Sequence, residues 1–249
     1  MGATFGRNMR MTIFGESHGR GIGLVLDGLP PGTPVDEEFI KEEMARRAPG
    51  KNQMSTQRRE KDAFIIESGV FEGKATGTPL CVLIPNSDQH SKDYSLLKDV
   101  MRPGHADFAG KVRYRGFNDY RGGGHFSGRL TAPLVFTGAV AKTVLAQKGI
   151  VVGAHVARIG KITDVLFHPL GETAERLQEL RKFTLPVLDD GKAPLMEAEI
   201  MAAREQMDSV GGIVEVMAVG MPPGIGDPFF DSLESRLSHA LFSVPAVKG

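Results

Sequence analysis

Apolar and polar positions follow two patterns along this chain, and each pattern predicts a different kind of element. Short runs of apolar and β-branched residues predict strands, whereas apolar positions three and four residues apart predict helices. The predicted strands cover residues 11–14, 22–26, 64–66, 70–71, 79–84, 151–159 and 213–219. The predicted helices cover residues 36–47, 131–147, 173–182, 195–207 and 230–242. This mixture predicts an α+β fold with antiparallel sheets.

The helix predicted over residues 131–147 differs from the others because it lacks a polar face. Its residues are apolar or small on nearly every side, including Leu134, Val135, Phe136 and Val140. A helix of this kind is normally buried in the middle of a fold. We therefore expect helices sandwiched between two antiparallel sheets, a β-α-β sandwich.

Two turns share the pattern Gly-x-Pro-Pro-Gly, at residues 28–32 and 220–224. Each turn follows an apolar strand and precedes an amphipathic helix, and Gly19 and Gly211 precede them at the same offset. We interpret the two segments as one structural unit used twice through internal duplication. The alternative is that Pro-Pro-Gly is simply a common turn sequence.

Composition narrows the class of protein. The chain has 249 residues, 41% of them apolar, and 30 basic side chains balance 30 acidic ones. The apolar fraction excludes intrinsic disorder, and the single Cys81 excludes a disulfide framework and fits a reducing compartment. No apolar run is long enough to span a membrane, and the N-terminus lacks the layout of a signal peptide. We expect a cytoplasmic protein that binds neither membranes nor, given its neutral charge, nucleic acid.

The turn after the strand at residues 11–14 presents a histidine between glycines. Gly15 and Gly19 remove side-chain bulk, so that a ligand can approach the backbone and His18. Histidine titrates near neutrality and could donate or accept a proton here. Ser17 could bond a ligand oxygen or orient the ring. The alternative is an ordinary strand-end turn with a solvated histidine.

A second histidine, His105, lies in the segment of residues 102–107. Pro103 fixes its own φ and Gly104 allows a tight turn, so that His105 is presented on a stiff loop. Asp107 could fix the tautomer of His105, or it could face the other way. A single loop histidine is ordinarily a surface residue, but two such loops in one chain weaken that interpretation.

A glycine-rich segment, residues 121–129, directly precedes the apolar helix. Backbone N–H groups in such a loop form a natural anion site. Arg121 and Arg129 would add charge-assisted bonds to a phosphate or carboxylate. The segment has neither the Gly-Lys-Ser/Thr of a P-loop nor the acidic position of a dinucleotide fingerprint. The alternative is a flexible linker. The core helix that starts where the segment ends argues against this alternative.

Further arginines, Arg46, Arg47, Arg58 and Arg59, could form a solvated basic face or line a cavity for a polyanionic small molecule. RNA binding would use the same charge, but three Tyr and no Trp leave few residues for base stacking. The histidines show no paired spacing typical of a metal site. A serine hydrolase is not predicted either, because no Gly-x-Ser-x-Gly motif occurs.

Motifs spread over the whole chain carry a resemblance to a known family. They lie at residues 14–19, 46–50, 56–60, 69–73, 86–94, 102–107, 119–124 and 246–249. On these motifs, which occur in the family's order, the chain resembles the chorismate synthase family. Family members continue past the final Val-Lys-Gly, into segments that complete the flavin pocket and supply an acidic catalytic residue. We therefore expect residues 1–249 to be one chorismate synthase domain whose C-terminal part is missing.

The resemblance implies the sandwich fold described above, assembled as a homotetramer. It also implies the conversion of 5-enolpyruvylshikimate 3-phosphate to chorismate and phosphate by 1,4-anti-elimination, with reduced FMN as a cofactor that is not consumed. The flavin is implied by the family alone. The alternative is a truncated, non-catalytic family member that binds flavin or phosphorylated anions without turnover.

The resemblance also assigns roles to residues. His105 would assist the leaving phosphate, His18 would protonate or hydrogen-bond the reduced flavin, and Ser17 would support that proton transfer. Arg47 matches a family arginine near the substrate. Arg129, from the glycine-rich segment, is the other substrate-binding candidate. Both histidines keep the loop context of the family, which favours an active enzyme.

The implied cofactor contacts depart in part from the family pattern. His125, Phe126 and Ser127 occupy a flavin-contact tripeptide that is Arg-Ser-Ser in many members, and Pro245 and Ala246 fall on a further flavin-contact pair. An imidazole and a phenyl ring would give less permanent charge and more apolar contact at the tripeptide.

An NADP site is implied at Arg47 and Gln53. Because Gln53 stands where the family has a second arginine, NADPH as the reductant of the flavin is the weaker of these expectations.

Overall fold

The computed structural model describes residues 2–50, 54, 60–87 and 98–249. The chain divides into two compact units. The first contains Met1–Pro49, Arg58–Thr143 and Ile225–Gly249, and the second contains Gly50–Gln57 and Val144–Gly224. The predictions made for Gln53, Arg58 and Arg59 lie outside the described residues.

Strands and helices are both well represented in the described residues. The strands are β1 (Thr4–Gly6), β2 (Arg10–Gly15), β3 (Gly21–Asp27), β4 (Ile65–Ser68), β5 (Val70–Phe71), β6 (Lys74–Ala75), β7 (Leu80–Pro85), β8 (Val151–Ile159), β9 (Ile162–Thr163) and β10 (Gly212–Val219). The helices are α1 (Glu37–Arg47), α2 (Asp107–Arg113), α3 (Thr131–Ala146), α4 (Ala174–Leu180), α5 (Lys192–Glu205) and α6 (Leu233–Leu241). Every strand pairing is antiparallel within the described ranges, which confirms the predicted α+β class.

The first unit is built on a sheet of five strands in the order β1-β2-β3-β7-β4. Because alternate residues of a strand point to the same face, β3 and β7 contribute one row of side chains each to the core. The two rows lie opposite each other and are completely buried: Ile22 against Ile84, Leu24 against Val82, and Leu26 against Leu80.

Helix α1 begins and packs as its sequence predicts. The Asp36 side chain accepts a hydrogen bond from the backbone N–H of Phe39 at 3.0 Å, which satisfies one of the free donors of the first turn. Ile40 and Met44, four residues apart, are buried on one face of the helix.

Helix α3 follows two short 3-10 turns, Arg121–Phe126 and Gly128–Leu130. Its helical conformation confirms the prediction for residues 131–147, and Phe136 at its centre is completely buried. The Phe136 ring meets the ring of Phe64 edge to face, with centroids 5.0 Å apart.

The second unit has a three-stranded sheet in the order β10-β8-β9. Leu177 and Leu180 on α4 form a small core with Phe167. Leu177 packs so closely against Gly153 on β8 that a Cβ atom at residue 153 would lie 2.7 Å from the Leu177 Cβ. A glycine at this position therefore lets helix and sheet approach each other.

Three helices differ from the predictions. Helix α2 was not predicted, because its sequence Asp-Phe-Ala-Gly-Lys-Val-Arg has a central glycine and little periodicity. Helix α5 begins at Lys192 rather than 195, since Pro194 is tolerated within a first turn. Helix α6 begins only at Leu233, because the Ser232 side chain caps it by accepting the Ser235 N–H.

None of the helices in the described part of the chain is both long enough and apolar enough to cross a membrane.

Candidate active site

Ser17 and His18 are buried in the turn between β2 and β3. Ser17 is fully buried and His18 is 5% exposed, so the alternative of a solvated histidine is wrong. The Nδ1 atom of His18 lies 3.2 Å from the Ser17 hydroxyl oxygen. The backbone N–H of Ser17 donates to the carbonyl of Gly124 at 3.1 Å, which ties this turn to the glycine-rich segment.

His105 lies on the loop before α2, and its side chain is partly exposed. Its Nδ1 atom is 2.7 Å from Oδ1 of Asp107, so Asp107 faces the ring. Arg102 donates to both oxygens of the same carboxylate: its Nε and its backbone N–H to Oδ2 at 2.9 and 3.1 Å, and its Nη2 to Oδ1 at 2.9 Å. The three side chains form one ordered group.

Arginine holds the carboxylate of Asp107 in its ionised form. The side-chain hydrogen bonds from Arg102 lower the pKa of Asp107 to about 2, against the opposing effect of burial. The backbone N–H of Arg102 and the nearby His105 act in the same direction as those bonds. At neutral pH, Asp107 is therefore an acceptor only.

The two histidines meet at three consecutive glycines. Gly122, Gly123 and Gly124 have φ values of 56°, 83° and 53°, a conformation that favours glycine. A Cβ atom at Gly122 would overlap Nδ1 and Cε1 of His18. A Cβ atom at Gly123 would lie 2.6 Å from Cε1 and 2.9 Å from Nε2 of His105.

Because adjacent Cα atoms are only about 3.8 Å apart, the two imidazoles converge on one turn. The structure thus places both rings against one short segment of backbone. We refer to residues 122–124 as the triglycine turn.

A second arginine–aspartate pair lies at the start of this turn. Arg121 donates to both oxygens of Asp119, from Nε at 2.9 Å and from Nη2 at 2.7 Å. These side-chain bonds lower the pKa of Asp119 despite its partial burial, and His18 contributes in the same direction. The same pair raises the pKa of Arg121. Asp119 thus fixes the guanidinium of Arg121 at the start of the turn that contacts His18.

Asp62 joins the two predicted substrate-binding arginines. Arg47 Nε donates to Oδ2 of Asp62 at 2.8 Å, and Arg129 Nη1 donates to the other oxygen. The Arg129 side chain is almost fully buried, and it also donates to Asn86 Oδ1 at 3.1 Å and to the carbonyl of Pro85 at 3.3 Å. Glu60 Oε2 lies 3.8 Å from Arg129 Nη2.

In this arrangement the chain itself engages all three nitrogens of the Arg129 guanidinium. Its contact with substrate stays a prediction. Sequence reasoning did not single out Asp62, Glu60 or Asn86 as partners. The only signal was that acidic residues follow closely on an arginine-rich segment, where a buried cation requires a counter-charge.

The three residues of the predicted flavin tripeptide each make a different contact within the chain. His125 donates from Nδ1 to the carbonyl of Gly15 at 2.9 Å. The ring of Phe126 packs against Gly110 of α2, where a Cβ atom would lie 2.7 Å from its Cε2. The Ser127 hydroxyl accepts the backbone N–H of Arg129 at 3.3 Å.

The other predicted flavin pair, Pro245 and Ala246, lies in the exposed C-terminal segment of the first unit. Ala246 has a φ of 70°, which is unusual for a residue other than glycine. None of the described contacts connects this pair with the triglycine turn. Its role in flavin binding stays a prediction.

This geometry suits proton transfer to or from an anion. Two imidazoles converge on one turn, one beside a carboxylate and one beside a hydroxyl. Arg102 is fixed beside His105 by Asp107, and Arg121 is fixed at the start of the turn by Asp119. An imidazole can change charge near neutral pH, and arginine cannot. The arginines can therefore attract a substrate without competing for the transferred proton.

Comparison with known proteins gives a consistent result. The family model described as chorismate synthase matches residues 9–249. A relative named chorismate synthase from Methanococcoides burtonii is 44% identical over 250 residues, covering 100% of this chain and 66% of the relative. A chorismate synthase from Pyrococcus abyssi is 46% identical, covering 98% of this chain and 66% of its own length.

Among solved structures, one titled "Crystal Structure of Chorismate Synthase" matches with a TM-score of 0.75 and 28% identity, covering 98% of this chain and 67% of that one. The chain thus spans about two thirds of the length of the proteins that it matches, at 66% for the curated relatives above. The family model and the relatives cover nearly every residue here, and the chain belongs to the chorismate synthase family.

Proposed function

We propose that this protein is a chorismate synthase, a carbon–oxygen lyase of the shikimate pathway that serves aromatic amino acid biosynthesis. The substrate would be 5-enolpyruvylshikimate 3-phosphate and the products chorismate and phosphate. In this 1,4-anti-elimination the C–O bond to phosphate and one ring C–H bond break, the ring double bond shifts and a second one forms, and phosphate and a proton leave. The observation that carries the proposal is the convergence of His18 and His105 on the triglycine turn.

His105 is the acid in this proposal. Its Nε2 atom faces Gly123, whereas its Nδ1 atom faces Asp107. A proton donated from Nε2 to the leaving phosphate would lower the barrier to C–O cleavage. His18, with Ser17 at its Nδ1 atom, would hold the second exchangeable proton at the site.

The charge of the substrate supports the same assignment. A phosphate and two carboxylates need several cations, and the chain as a whole has a net charge of zero. Arg102 lies beside His105, Arg121 begins the turn that both rings contact, and Arg47 is held by Asp62. We assign substrate binding to Arg47, with Arg129 as the residue that shares its carboxylate partner.

A reduced FMN would supply an electron-rich partner for C–O cleavage, while the protein contributes binding and orientation. His125 could contact the flavin through Nε2, which has no partner among the described residues, because its Nδ1–H already donates to the carbonyl of Gly15. The Phe126 ring packs against Gly110, and the Ser127 hydroxyl bonds the backbone N–H of Arg129. In this proposal both residues therefore hold His125 in place. Pro245 and Ala246 remain candidate flavin contacts. NADPH, bound at Arg47 and Gln53, would serve as the reductant of the flavin.

At the level of the fold, we propose one family domain with an internal duplication and helices sandwiched between its two sheets. The two Gly-x-Pro-Pro-Gly turns support the duplication. Gly28 has a φ of 88° and Gly220 a φ of 78°. A Cβ atom at Gly28 would overlap the carbonyl oxygen of Asn8, which lies two residues before β2. A Cβ atom at Gly220 would overlap the carbonyl oxygen of Gly149, which lies two residues before β8. A homotetramer in the cytoplasm completes the expectation from the family.

The test is an anaerobic assay of the purified chain with 5-enolpyruvylshikimate 3-phosphate and chemically reduced FMN. We expect release of phosphate by the unmodified chain. His105→Ala removes the proton donor and should slow the release by about 10²–10⁴-fold.

His168→Ala is the matched control, because His168 is exposed and lies in the second unit. It should retain the full rate. No phosphate release by the unmodified chain at any protein concentration would contradict the proposal, and it would favour a protein that binds flavin or anions without turnover.

A further inference from the structure

We propose that Asp107 is a positioning residue that fixes the tautomer of His105, and that Arg102 in turn fixes which oxygen of Asp107 faces the ring. This inference deepens the proposed function, since it concerns the residue assigned as the acid. It concerns a proton position, however, which can be measured without turnover.

The first step is the contact between ring and carboxylate. Asp107 Oδ1 lies 2.7 Å from His105 Nδ1, and the carboxylate carries no proton of its own at neutral pH. An ionised carboxylate only accepts hydrogen bonds, so the ring must donate. Nδ1 therefore carries a proton whether His105 is neutral or charged.

The other ring nitrogen of His105 is Nε2. With Nδ1 always protonated, Nε2 is the only atom of His105 that gains or loses a proton. This is the atom on the side of the triglycine turn, where a Cβ atom at Gly123 would lie 2.9 Å away. The carboxylate thus directs proton exchange to the edge of the ring that faces the triglycine turn.

Arg102 provides the third step. Its Nη2 atom lies 3.3 Å from His105 Nδ1, but two donors cannot bond each other, and both instead share Oδ1 of Asp107. The Nε and backbone N–H of Arg102 both donate to Oδ2. Four donors therefore divide evenly between the two oxygens, and the carboxylate has little freedom to rotate.

His18 is held differently. Its Nδ1 atom faces the Ser17 hydroxyl, which can donate or accept. This contact by itself does not select a tautomer of His18, in contrast to the carboxylate contact of His105.

Asp107→Asn tests the inference, because the amide must choose an orientation. If the amide oxygen takes the Oδ2 position, it still accepts the two bonds from the backbone N–H and Nε of Arg102. If the oxygen takes the Oδ1 position instead, the NH₂ group faces both of those donors. The first orientation is favoured. It places the NH₂ group opposite His105 Nδ1, which must then accept, so the proton moves to Nε2.

The measurement is ¹⁵N NMR of histidine-labelled protein, without substrate or flavin, at a pH where the ring is neutral. His105→Gln identifies the His105 signals. In the unmodified chain, Nδ1 should carry the proton and Nε2 should not. Asp107→Asn should reverse this pattern, whereas Asp119→Asn, at the other arginine-bound aspartate, should leave it unchanged.

A proton found on Nε2 in the unmodified neutral ring would overturn the inference, whether or not the variant folds. In the phosphate-release assay, Asp107→Asn should lower kcat by about 10²-fold or more with a smaller change in KM. Asp107→Glu, which retains a carboxylate, should recover part of the loss. If the unmodified chain shows no turnover, the proposed function fails while the tautomer result stands on its own.

Discussion

At the scale of single residues, two arginines of the candidate site are paired with carboxylates of the chain itself. Arg102 is held by Asp107 and Arg121 by Asp119, each with two donors on the two oxygens. Bidentate pairs of this kind fix geometry as well as charge. Because arginine lowers the pKa of both aspartates, the pairs persist through the neutral range.

One prediction at this scale concerns the triglycine turn. Gly123→Ala adds a Cβ atom at a φ of 83° and only 2.6 Å from the His105 ring. We expect His105 to shift and phosphate release to fall by about 10²-fold, since a displacement near 1 Å can have that effect. The left-handed backbone should cost about 1–2 kcal/mol of stability as well.

Gly73→Ala separates these two effects. Gly73 has a φ of 72°, but a Cβ atom there would meet nothing within 4 Å. It should lose similar stability, measured by thermal unfolding, and keep its activity. Equal activity in the two variants would contradict the proposed close approach of His105 to the turn.

At the scale of elements, a buried hydrogen-bonded group centred on β8 connects parts of the second unit. His155 is fully buried, with Nδ1 3.2 Å from Asp164 and Nε2 2.8 Å from Glu215 on β10. Asp164 also accepts backbone N–H groups from Leu188 and Asp189. One histidine thus connects two strands and a loop.

The pKa of Glu215 gives this group a pH dependence. Partial burial raises that pKa, but the hydrogen bonds from His155 and from the backbone of Phe167 outweigh it, and the pKa lies below its ordinary 4.5. A lowered carboxyl pKa contributes stability that is present above the ordinary value and is lost as the pH falls through the folded value. Glu215→Gln should therefore reduce stability by about 1 kcal/mol at neutral pH.

The difference between the unmodified chain and Glu215→Gln should shrink as the pH falls below 4.5. Urea unfolding over a series of pH values measures it. Glu179→Gln, on the exposed side of α4, is the control and should be neutral throughout. A difference that grows towards acid pH would contradict the assigned role of Glu215.

The elements also show which local signals were sufficient in the sequence. Nine residues dominated by valine, alanine and isoleucine predicted β8 with its observed bounds, Val151–Ile159. Asp36 predicted the start of α1, because a cap acts within one turn. Helix α2 had no such signal, since Gly110 in its centre lowers helix propensity. The absence of a side chain at Gly110 leaves room for the ring of Phe126. That contact depends on the tertiary fold.

At the scale of the whole molecule, the sequence pointed to the two histidines as candidates but not to the contacts that surround them. His18 and His105 could be predicted because they lie on short motifs with glycine neighbours. Their convergence depends on the triglycine turn, which follows His18 by about a hundred residues. The link from Arg47 through Asp62 to Arg129 spans a similar separation. Contacts of this kind depend on the tertiary fold, and no local pattern encodes them.

The central claim is that His18 and His105 act at one site, and a double-variant cycle tests it most directly. Phosphate release would be compared for the unmodified chain, His18→Ala, His105→Ala and the variant carrying both changes. Groups that act as a unit are strongly non-additive, so we predict that the double variant is little slower than the slower single variant. If the two losses instead multiplied, the histidines would be acting independently, and the account of a shared site would be contradicted.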